Sequence, residues 1–271
     1  MKMIPIAVES NAISISNLSL RHQATFGMTS ERRGFAPRRS VTVIVPAYNE
    51  ERRLPDTVKC IHRFLVDRDY DAELIVVDDG STDRTTEIAN ALTPTHPLLR
   101  IITHRKNNGK DFAVLAGIRA ATKRAILMTD ADLSTPIDAV ERFWPWYDRG
   151  YAIVIGSRRH RDSRILVPQP LYRRFVGRVF NKLVGLLCIR GLNDTQCGFK
   201  LFDSGAIRSI IPKLRTHGFA FDVEVLFRAK QLRHSIAEVG VTWSNSADSR
   251  MKVLLHGLGM IRQLLQIRGV Y

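Results

Sequence analysis

The first part of the chain alternates five short apolar runs with segments of helical periodicity. Each run has strand length, is rich in Val and Ile, and is followed by polar turn residues. Strands separated by helices pair in parallel, and continuous apolar strands are buried on both faces. The pattern therefore predicts an open, mostly parallel α/β sheet flanked by helices, with the strands VTVIV, ELIVV, RIIT, AILMT and YAIVI.

Helix signals fill the intervals between these strands. Ser81 or Thr82 can cap a helix that continues through Ala89, and Pro136 suits the first turn of a helix over IDAVERFWPWY. Farther along, FAFDVEVLFRAKQL predicts a helix, AEVGVTW a strand, and MKVLLHGLGMIRQLLQIR a basic amphipathic helix that closes the chain. Within these segments, Asp222 and Glu224 are expected to form salt bridges or caps.

A second basic helix is predicted over PLYRRFVGRVFNKLVGLLCI. Arg174, Arg178 and Lys182 recur at spacings of four on one of its sides. The other side is expected to pack against the sheet, and it consists of Phe175, Val176, Val179, Phe180, Leu183 and Leu187.

Composition limits the class of partner. The chain has 41 Lys and Arg against 26 Asp and Glu, and the resulting net charge of +15 favours nucleic acid, anionic lipid or nucleotides. Three cysteines without metal-ligand spacing indicate free, mostly buried thiols in a reducing compartment. No apolar stretch reaches the roughly 18 residues of a transmembrane helix. Residues 1–39 lack firm periodicity and predict a mobile tail before one domain over residues 40–271.

Polar clusters follow the strand ends. In an open α/β sheet the carboxyl edge is where ligands bind. Turn or capping chemistry explains any single cluster, but several clusters at one edge indicate a binding site. The clusters are Tyr48, Asn49 and Glu50; Asp78 and Asp79; Lys110; Asp130 and Asp132; and Arg158.

Asp130 and Asp132 are best explained as metal ligands. Two carboxylates spaced one residue apart after a strand let hard oxygen ligands reach one Mg²⁺ or Mn²⁺. Such an ion can bridge a diphosphate and neutralise it as it departs. Capping of the helix that follows is the weaker alternative.

Asp78 and Asp79 would repel a diphosphate, so a base or ribose suits them better. Tyr48 can stack on a base, and Glu50 can bond the ribose. An Asp-Gly turn with a helix cap explains one of the two aspartates but not both. Arg158 has the planar donor fork that suits phosphate. The residues that follow it are expected to form a solvated loop: Arg159, His160, Arg161 and Arg164.

Other classes of protein fit less well. The chain lacks the G-x-G-x-x-G of a dinucleotide site, and NNGKD lacks the flanking residues of a P-loop. A haloacid-dehalogenase-type phosphatase carries its aspartates after the first strand, whereas three strands precede Asp130. A nucleic-acid-binding module leaves the acidic edge unexplained, because carboxylates repel a phosphate backbone.

Six stretches, taken in order, carry a resemblance: VTVIVPAYNEE, ELIVVDDGSTDRT, NNGKDFAVLAGI, TDADLSTP, VIGSRR and NDTQCGFKLF. Together they resemble the family 2 glycosyltransferases of the GT-A fold, over residues 41 to about 268. Within these, the dolichyl-phosphate β-glucosyltransferases are the most similar, and the dolichyl-phosphate mannosyltransferases share much of the pattern.

The resemblance implies an inverting transfer from a nucleotide sugar, usually UDP-glucose or GDP-mannose, to a polyprenyl phosphate. The DADLST form is typical of the glucosyl branch and favours UDP-glucose, although Ser134 replaces a metal-site glutamine of the mannosyl relatives. With Asp130 and Asp132 holding the metal, Arg158 contacts phosphate and stabilises the leaving UDP. The expected nucleotide-sugar site comprises Pro46, Tyr48, Glu50, Asp78, Asp79, Lys110, Asp130, Asp132 and Arg158.

The implied acceptor also shapes the mechanism. A phosphate oxygen is already anionic near neutral pH, so no strong general base is required. Asp194 is the first candidate if a base is used, with an Asx turn as its other explanation. A family member with a hydroxyl acceptor is the nearest rival and needs a definite base.

The second half of the domain is expected to face the acceptor. Residues 40–165 then bind the donor, residues 166–271 face acceptor and membrane, and the protein associates peripherally with a cytoplasmic membrane face. The expected contacts to lipid phosphate are Arg173, Arg174, Arg178 and Lys182.

Overall fold

A computed structural model describes residues 38–245 and 257–269 of the chain. Nearly all of the predicted tail lies outside this part, as residues 1–37. Residues 246–256, which include the start of the predicted closing helix, also lie outside it. None of the helices in the described ranges is long and apolar enough to cross a membrane.

Strands and helices alternate through the first half of the described chain and less regularly afterwards. Short 3₁₀ helices occupy Thr93–Thr95, Ile137–Arg142, Ile211–Lys213 and Gly218–Ala220. The longer elements are β1 (Ser40–Ala47), α1 (Leu54–Asp67), β2 (Asp71–Asp78), α2 (Thr85–Leu92), β3 (Leu99–Thr103), α3 (Lys110–Ala120), β4 (Ala125–Met128), α4 (Trp144–Asp148), β5 (Ile153–Ser157), β6 (Arg164–Val167), α5 (Leu171–Leu187), β7 (Lys200–Asp203), α6 (Ser204–Ile210), α7 (Phe221–Gln231), β8 (Ile236–Gly240), β9 (Thr242–Ser244) and α8 (Gly257–Arg268).

The described strands form a seven-stranded sheet in the order β3-β2-β1-β4-β7-β5-β8, with a separate pair β6-β9. In β1, Val43 lies opposite Leu74 of β2 and Leu127 of β4. Strand β7 runs antiparallel to both of its neighbours, and the other described pairs of the large sheet are parallel. The predicted mostly parallel α/β sheet is therefore confirmed, and it contains strands from both halves of the domain.

Helices cover both faces of this sheet, as predicted. Successive residues of a strand point to opposite faces, and accordingly Val43 belongs to a core cluster with Ile61 of α1, whereas Ile44 belongs to one with Ile118 of α3. A Cβ at Gly117 would lie 2.5 Å from Ile44 Cγ2, so glycine there lets α3 lie close to the sheet.

Several predicted boundaries are wrong for local reasons. Helix α2 begins at Thr85 rather than after Ser81 or Thr82, because Asp83 accepts the hydrogen bond from the Thr85 N–H. The helix predicted after Pro136 is a 3₁₀ helix that gives way to α4. The strand predicted over AEVGVTW is divided into β8 and β9, which belong to different sheets.

The prediction that the apolar side of α5 packs against the sheet is wrong for much of the helix. Phe175 is 64% exposed and Val179 is also exposed, while Val176, Phe180, Leu183 and Leu187 are partly buried. Helical periodicity identifies an apolar side but does not say what covers it.

The cysteine prediction holds in part. Cys60, Cys188 and Cys197 are all free. Only Cys197 of the three is buried, and Cys60 is exposed on α1, so the expectation of mostly buried thiols is wrong.

Candidate functional site

The polar clusters that follow β1, β2, β4 and β5 meet at the carboxyl edge of the sheet. Asp79 Oδ2 accepts a 2.7 Å hydrogen bond from the Gly109 N–H at the start of α3. The Lys110 ammonium, one residue further, bonds Asp130 Oδ1 after β4. Hydrogen bonds made by side chains therefore join loops that are far apart in the sequence.

Asn49 joins the loop after β1 to the loop after β2. Its φ of 56° is left-handed, a conformation that asparagine tolerates well. Asn49 Oδ1 accepts from the Thr82 N–H at 2.7 Å, and the Glu50 N–H donates to Thr85 Oγ1 at 2.7 Å. These hydrogen bonds fix the backbone of the loop that carries Tyr48 and Glu50 directly after β1.

Asp78 is buried at the end of β2, opposite Ala47 in the register. Its Oδ1 accepts from the Ser81 N–H at 3.1 Å and from the Ser81 hydroxyl, and its Oδ2 accepts from the Thr86 hydroxyl. Pro46, near the end of β1, is one strand away and partly exposed. The Asp-Gly turn explanation thus applies to Asp78.

Asp79 serves a different loop. Its carboxylate accepts from the N–H groups of Asn108 and Gly109, and it lies 2.8 Å from His104 Nδ1. A Cβ at Gly80, whose φ is 69°, would lie 2.4 Å from the backbone carbon of Lys106, so the two loops touch. Asp79 therefore organises the segment that leads into α3.

Asp130 and Asp132 are partly exposed at the end of β4. Burial pushes the pKa of Asp130 upward, but the charge of Lys110 outweighs it and holds this pKa below its ordinary value. Asp132 Oδ1 accepts from the Ser134 N–H at 2.9 Å. Asp130 is therefore ionised near neutral pH.

Asp130 and Asp132 are the two carboxylates that could hold a divalent cation. A Cβ at Gly198 would lie 2.0 Å from Asp130 Oδ2, so the glycine provides the space that this carboxylate occupies. Across residues 38–245 and 257–269, no group of three or more His, Cys, Asp or Glu could hold a metal ion. A pair of carboxylates, with remaining positions left to phosphate oxygens and water, is the ligand set that Mg²⁺ usually has in nucleotide enzymes.

Arg158, at the end of β5, forms a bidentate ion pair with Asp194. The distances are 2.7 Å from Nε to Oδ2 and 2.8 Å from Nη2 to Oδ1. Arg158 also lies over the Trp243 ring, 5.5 Å from its centroid. Glu238 of β8 accepts from the N–H groups of Asn193 and Asp194, which fixes the loop.

Asp194 is fully buried, with both carboxylate oxygens engaged by Arg158. Burial raises the pKa of Asp194, but Arg158 outweighs it, so the net pKa lies below its ordinary value. The Asx-turn interpretation also applies, since Asp194 Oδ1 accepts from the Gln196 N–H at 3.2 Å.

Sequence analysis missed Lys200, whose positive charge helps to hold the pKa of Asp130 below its ordinary value. It is buried in β7, where its ammonium bonds Asp222 Oδ1 and the Cys197 carbonyl, each at 2.6 Å. A lysine in the otherwise apolar KLF strand was the available signal. Glu224 pairs with Arg228 at 2.8 Å, so the salt bridges expected of Asp222 and Glu224 are confirmed.

The predicted lipid-phosphate residues of α5 lie on its exposed part. Arg174, Arg178 and Lys182 are exposed, and none of them forms an ion pair among the residues the structure describes. Arg173 belongs to α5 as well, but its side chain lies outside the described ones.

A sheet of this order, with paired aspartates after β4, defines a glycosyltransferase of the GT-A fold. The chain belongs to glycosyl transferase family 2, whose model matches residues 42–211. It is 36% identical to the dolichyl-phosphate beta-glucosyltransferases of Mus musculus and Homo sapiens, over 87% of this chain and 77% of each relative. The enzyme of the same name from Dictyostelium discoideum is 35% identical over 85% of this chain and 74% of its own length.

Solved structures show the same fold at lower identity. Glucosyl-3-phosphoglycerate synthase from Mycobacterium tuberculosis, in complex with UDP, has a TM-score of 0.65 at 21% identity, over 85% of this chain and 80% of that one. The mannosyltransferase PcManGT from Pyrobaculum calidifontis, in complex with GDP-Man and Mn²⁺, has a TM-score of 0.59 at 22% identity, over 85% of this chain and 63% of that one.

Proposed function

We propose that this glycosyltransferase moves glucose from UDP-glucose to a dolichyl-type polyprenyl phosphate, with inversion, at the cytoplasmic face of a membrane. The observation that carries the proposal is that the carboxyl edge of the sheet, where a family 2 enzyme would bind its donor, lies beside an exposed apolar and basic surface. The chain's 36% identity to a dolichyl-phosphate beta-glucosyltransferase over 87% of its length supports the choice of sugar and acceptor.

The nucleoside would bind where the loops after β1 and β2 meet. Ala47 lies opposite Asp78 in the register, Pro46, Tyr48 and Glu50 flank Ala47 in the chain, and the hydrogen bonds of Asn49 hold this backbone in place. The uracil or ribose would exchange hydrogen bonds with Asp78, whose carboxylate now accepts from hydroxyls. Asp79, as the organiser of the next loop, would act on the donor through the position of Lys110.

The diphosphate would lie between β4 and β5. Asp130 and Asp132 would hold Mg²⁺ or Mn²⁺, which when bound supplies positive charge to the departing diphosphate. Lys110 adds a second positive charge at Asp130. Arg158 has its guanidinium fixed by Asp194 before the donor arrives, so orienting it requires no rearrangement during the reaction.

Asp194 then acts by positioning Arg158 rather than as a base. Its oxygens are buried and already accept from Arg158. An acceptor phosphate is anionic near neutral pH and needs alignment behind the anomeric carbon more than deprotonation. The proposal therefore favours a phosphate acceptor over a hydroxyl acceptor.

A surface formed by β6 and the first half of α5, here named the β6–α5 surface, would contact the membrane. Leu166 is 65% exposed and Leu171 is 76% exposed, and Arg174, Arg178 and Lys182 lie on the same helix. Apolar side chains beside unpaired cations suit a bilayer interface with anionic headgroups. Its exposed apolar members are Ile165, Leu166, Val167, Leu171, Tyr172 and Phe175.

The test is incubation of the full chain with radiolabelled UDP- and GDP-sugars, with and without polyprenyl phosphate, in the presence of Mn²⁺. Label from UDP-glucose is expected in the lipid fraction only when polyprenyl phosphate is present. Label from GDP-mannose instead would replace glucose with mannose in the proposal. Absence of lipid label from every donor would overturn it.

A further inference from the structure

We infer that Arg159, together with Arg178, binds the terminal phosphate of the lipid acceptor, next to the donor-phosphate residue Arg158. The inference rests on the proposed function and adds a residue that the sequence pattern placed in a solvated loop. The ligand chemistry is a phosphate monoester on an isoprenoid chain.

Two consecutive arginines after β5 have different surroundings. The Arg158 guanidinium is held by Asp194. The Arg159 guanidinium instead lies against α5, where its Nη2 is 3.3 Å from the position that a Cβ would occupy at Gly177. Among the residues that the structure describes, and apart from the adjoining helix backbone, no other atom comes within 4 Å of that Cβ position, so the glycine leaves space beside Arg159.

The charges around Arg159 favour an anion. Burial lowers the pKa of Arg159, and the positive charges of Arg158 and Arg178 lower it further, against the opposing charge of Asp194. Asp194 is already neutralised by Arg158. Within the described part of the chain, neither Arg159 nor Arg178 forms an ion pair. A bound dianion would offset the repulsion between these two guanidinium groups.

The position of this arginine pair matches an acceptor. The charges of Arg158 and Asp130 act on each other, which is consistent with Arg158 lying on the donor side of the site. Arg159 comes next in the chain, and Arg178 lies on the helix that carries the β6–α5 surface. A phosphate bound at Arg159 and Arg178 thus has the donor on one side and an apolar surface for its isoprenoid chain on the other.

The first test measures steady-state kinetics of full-length Arg159→Ala in detergent without phospholipid, with a short-chain polyprenyl phosphate as acceptor. The KM for the acceptor is expected to rise about tenfold or more, as for loss of a charge-assisted contact, with the KM for UDP-glucose within about twofold. Arg161→Ala is the control, since Arg161 is 90% exposed and pairs with Asp162 in the same loop. An unchanged acceptor KM in Arg159→Ala would overturn the inference.

A second variant tests the same site without removing a charge. Gly177→Leu fills the space beside Arg159 and is expected to raise the acceptor KM, while leucine maintains or raises helix stability. Gly185→Leu is the matched control on the same helix, because none of the described residues, apart from the adjoining helix backbone, lies within 4 Å of its Cβ position. Equal acceptor KM values in the two variants, at equal thermal midpoints, would contradict the inference.

Vesicle binding separates the acceptor's phosphate from a phospholipid headgroup. Sedimentation of Arg159→Ala with phosphatidylserine vesicles is expected to match that of the unmodified protein. Weaker sedimentation with an unchanged acceptor KM would assign Arg159 to headgroups and overturn the inference. If the unmodified protein transfers sugar to no polyprenyl phosphate, the proposed function fails; normal transfer with unaffected variants refutes the acceptor site alone.

Discussion

Asp194 holds the guanidinium of Arg158 with both carboxylate oxygens while being fully buried. Because the pKa of Asp194 lies below its ordinary value of about 4, the stabilisation from this pair is present at neutral pH. It is lost only as the pH falls through the folded-state pKa. The pair is thus ionised throughout the range in which glycosyl transfer would be measured.

Asp194→Asn is expected to lower kcat about 10- to 100-fold, from the loss of a charged hydrogen-bonded pair worth about 1.5–3 kcal/mol. The shape of the pH profile between pH 5 and pH 9 should stay unchanged, because the residue orients Arg158 and transfers no proton. Kinetics across this range check the prediction, with Asp162→Asn in the exposed loop as the control. Loss of an acidic limb in the variant would instead identify a general base.

Asp132→Ala is expected to abolish transfer while the thermal midpoint stays within a few degrees. The variant removes a hard oxygen ligand from a partly exposed site, so little packing is lost. Asp138→Ala, an exposed aspartate of the following 3₁₀ helix, should behave like the unmodified enzyme. EDTA should abolish the transfer activity of the unmodified enzyme, and added Mn²⁺ should restore that activity. Full activity in EDTA would contradict the proposed role of the metal.

Gly198→Ala is expected to weaken metal binding, because its methyl group would overlap Asp130 Oδ2 at 2.0 Å and displace the carboxylate. The Mn²⁺ concentration for half-maximal transfer should rise about tenfold, the equivalent of about 1.4 kcal/mol. Gly185→Ala should leave the Mn²⁺ titration unchanged, since its Cβ position has no neighbour within 4 Å in the described part of the chain beyond the adjoining helix backbone. Identical titrations for both variants would show that Asp130 does not ligate the ion.

Phe175→Glu is expected to reduce sedimentation with phosphatidylserine vesicles about tenfold or more, since burying a large apolar side chain is worth about 1.5–3 kcal/mol. Val66→Glu on α1 is the control, because Val66 is also apolar and exposed but lies off the β6–α5 surface. Equal vesicle binding by the two variants would place the membrane contact elsewhere.

Much of the fold could be predicted because its determinants are local. A strand buried on both faces is a continuous apolar run, so β1, β2 and β4 were recognisable in the sequence. Parallel strands also bring their carboxyl ends to one edge, so the sequence alone predicts that Asp130 and Arg158 lie near each other.

The features of the fold and site that could not be predicted depend on contacts between residues that are distant in the sequence. Asp79 binds the Gly109 N–H, and nothing in the DDGS sequence distinguishes it from Asp78. The antiparallel direction of β7 follows from where the preceding loop returns, which the four residues KLFD do not encode. Helical periodicity in α5 is the same whether its apolar side meets a protein core or a lipid bilayer.

The insertion of β7 between β4 and β5 has a consequence for synthesis on the ribosome. Until Lys200–Asp203 has emerged, β4 and β5 have no strand to join them, and the two sides of the donor site are not held at their final spacing. Strand pairing between distant segments is slow because loop closure must come first. The nascent chain would thus acquire its donor site only after α5 has been made. It could therefore bind a sugar nucleotide only once the helix proposed to contact the lipid is present.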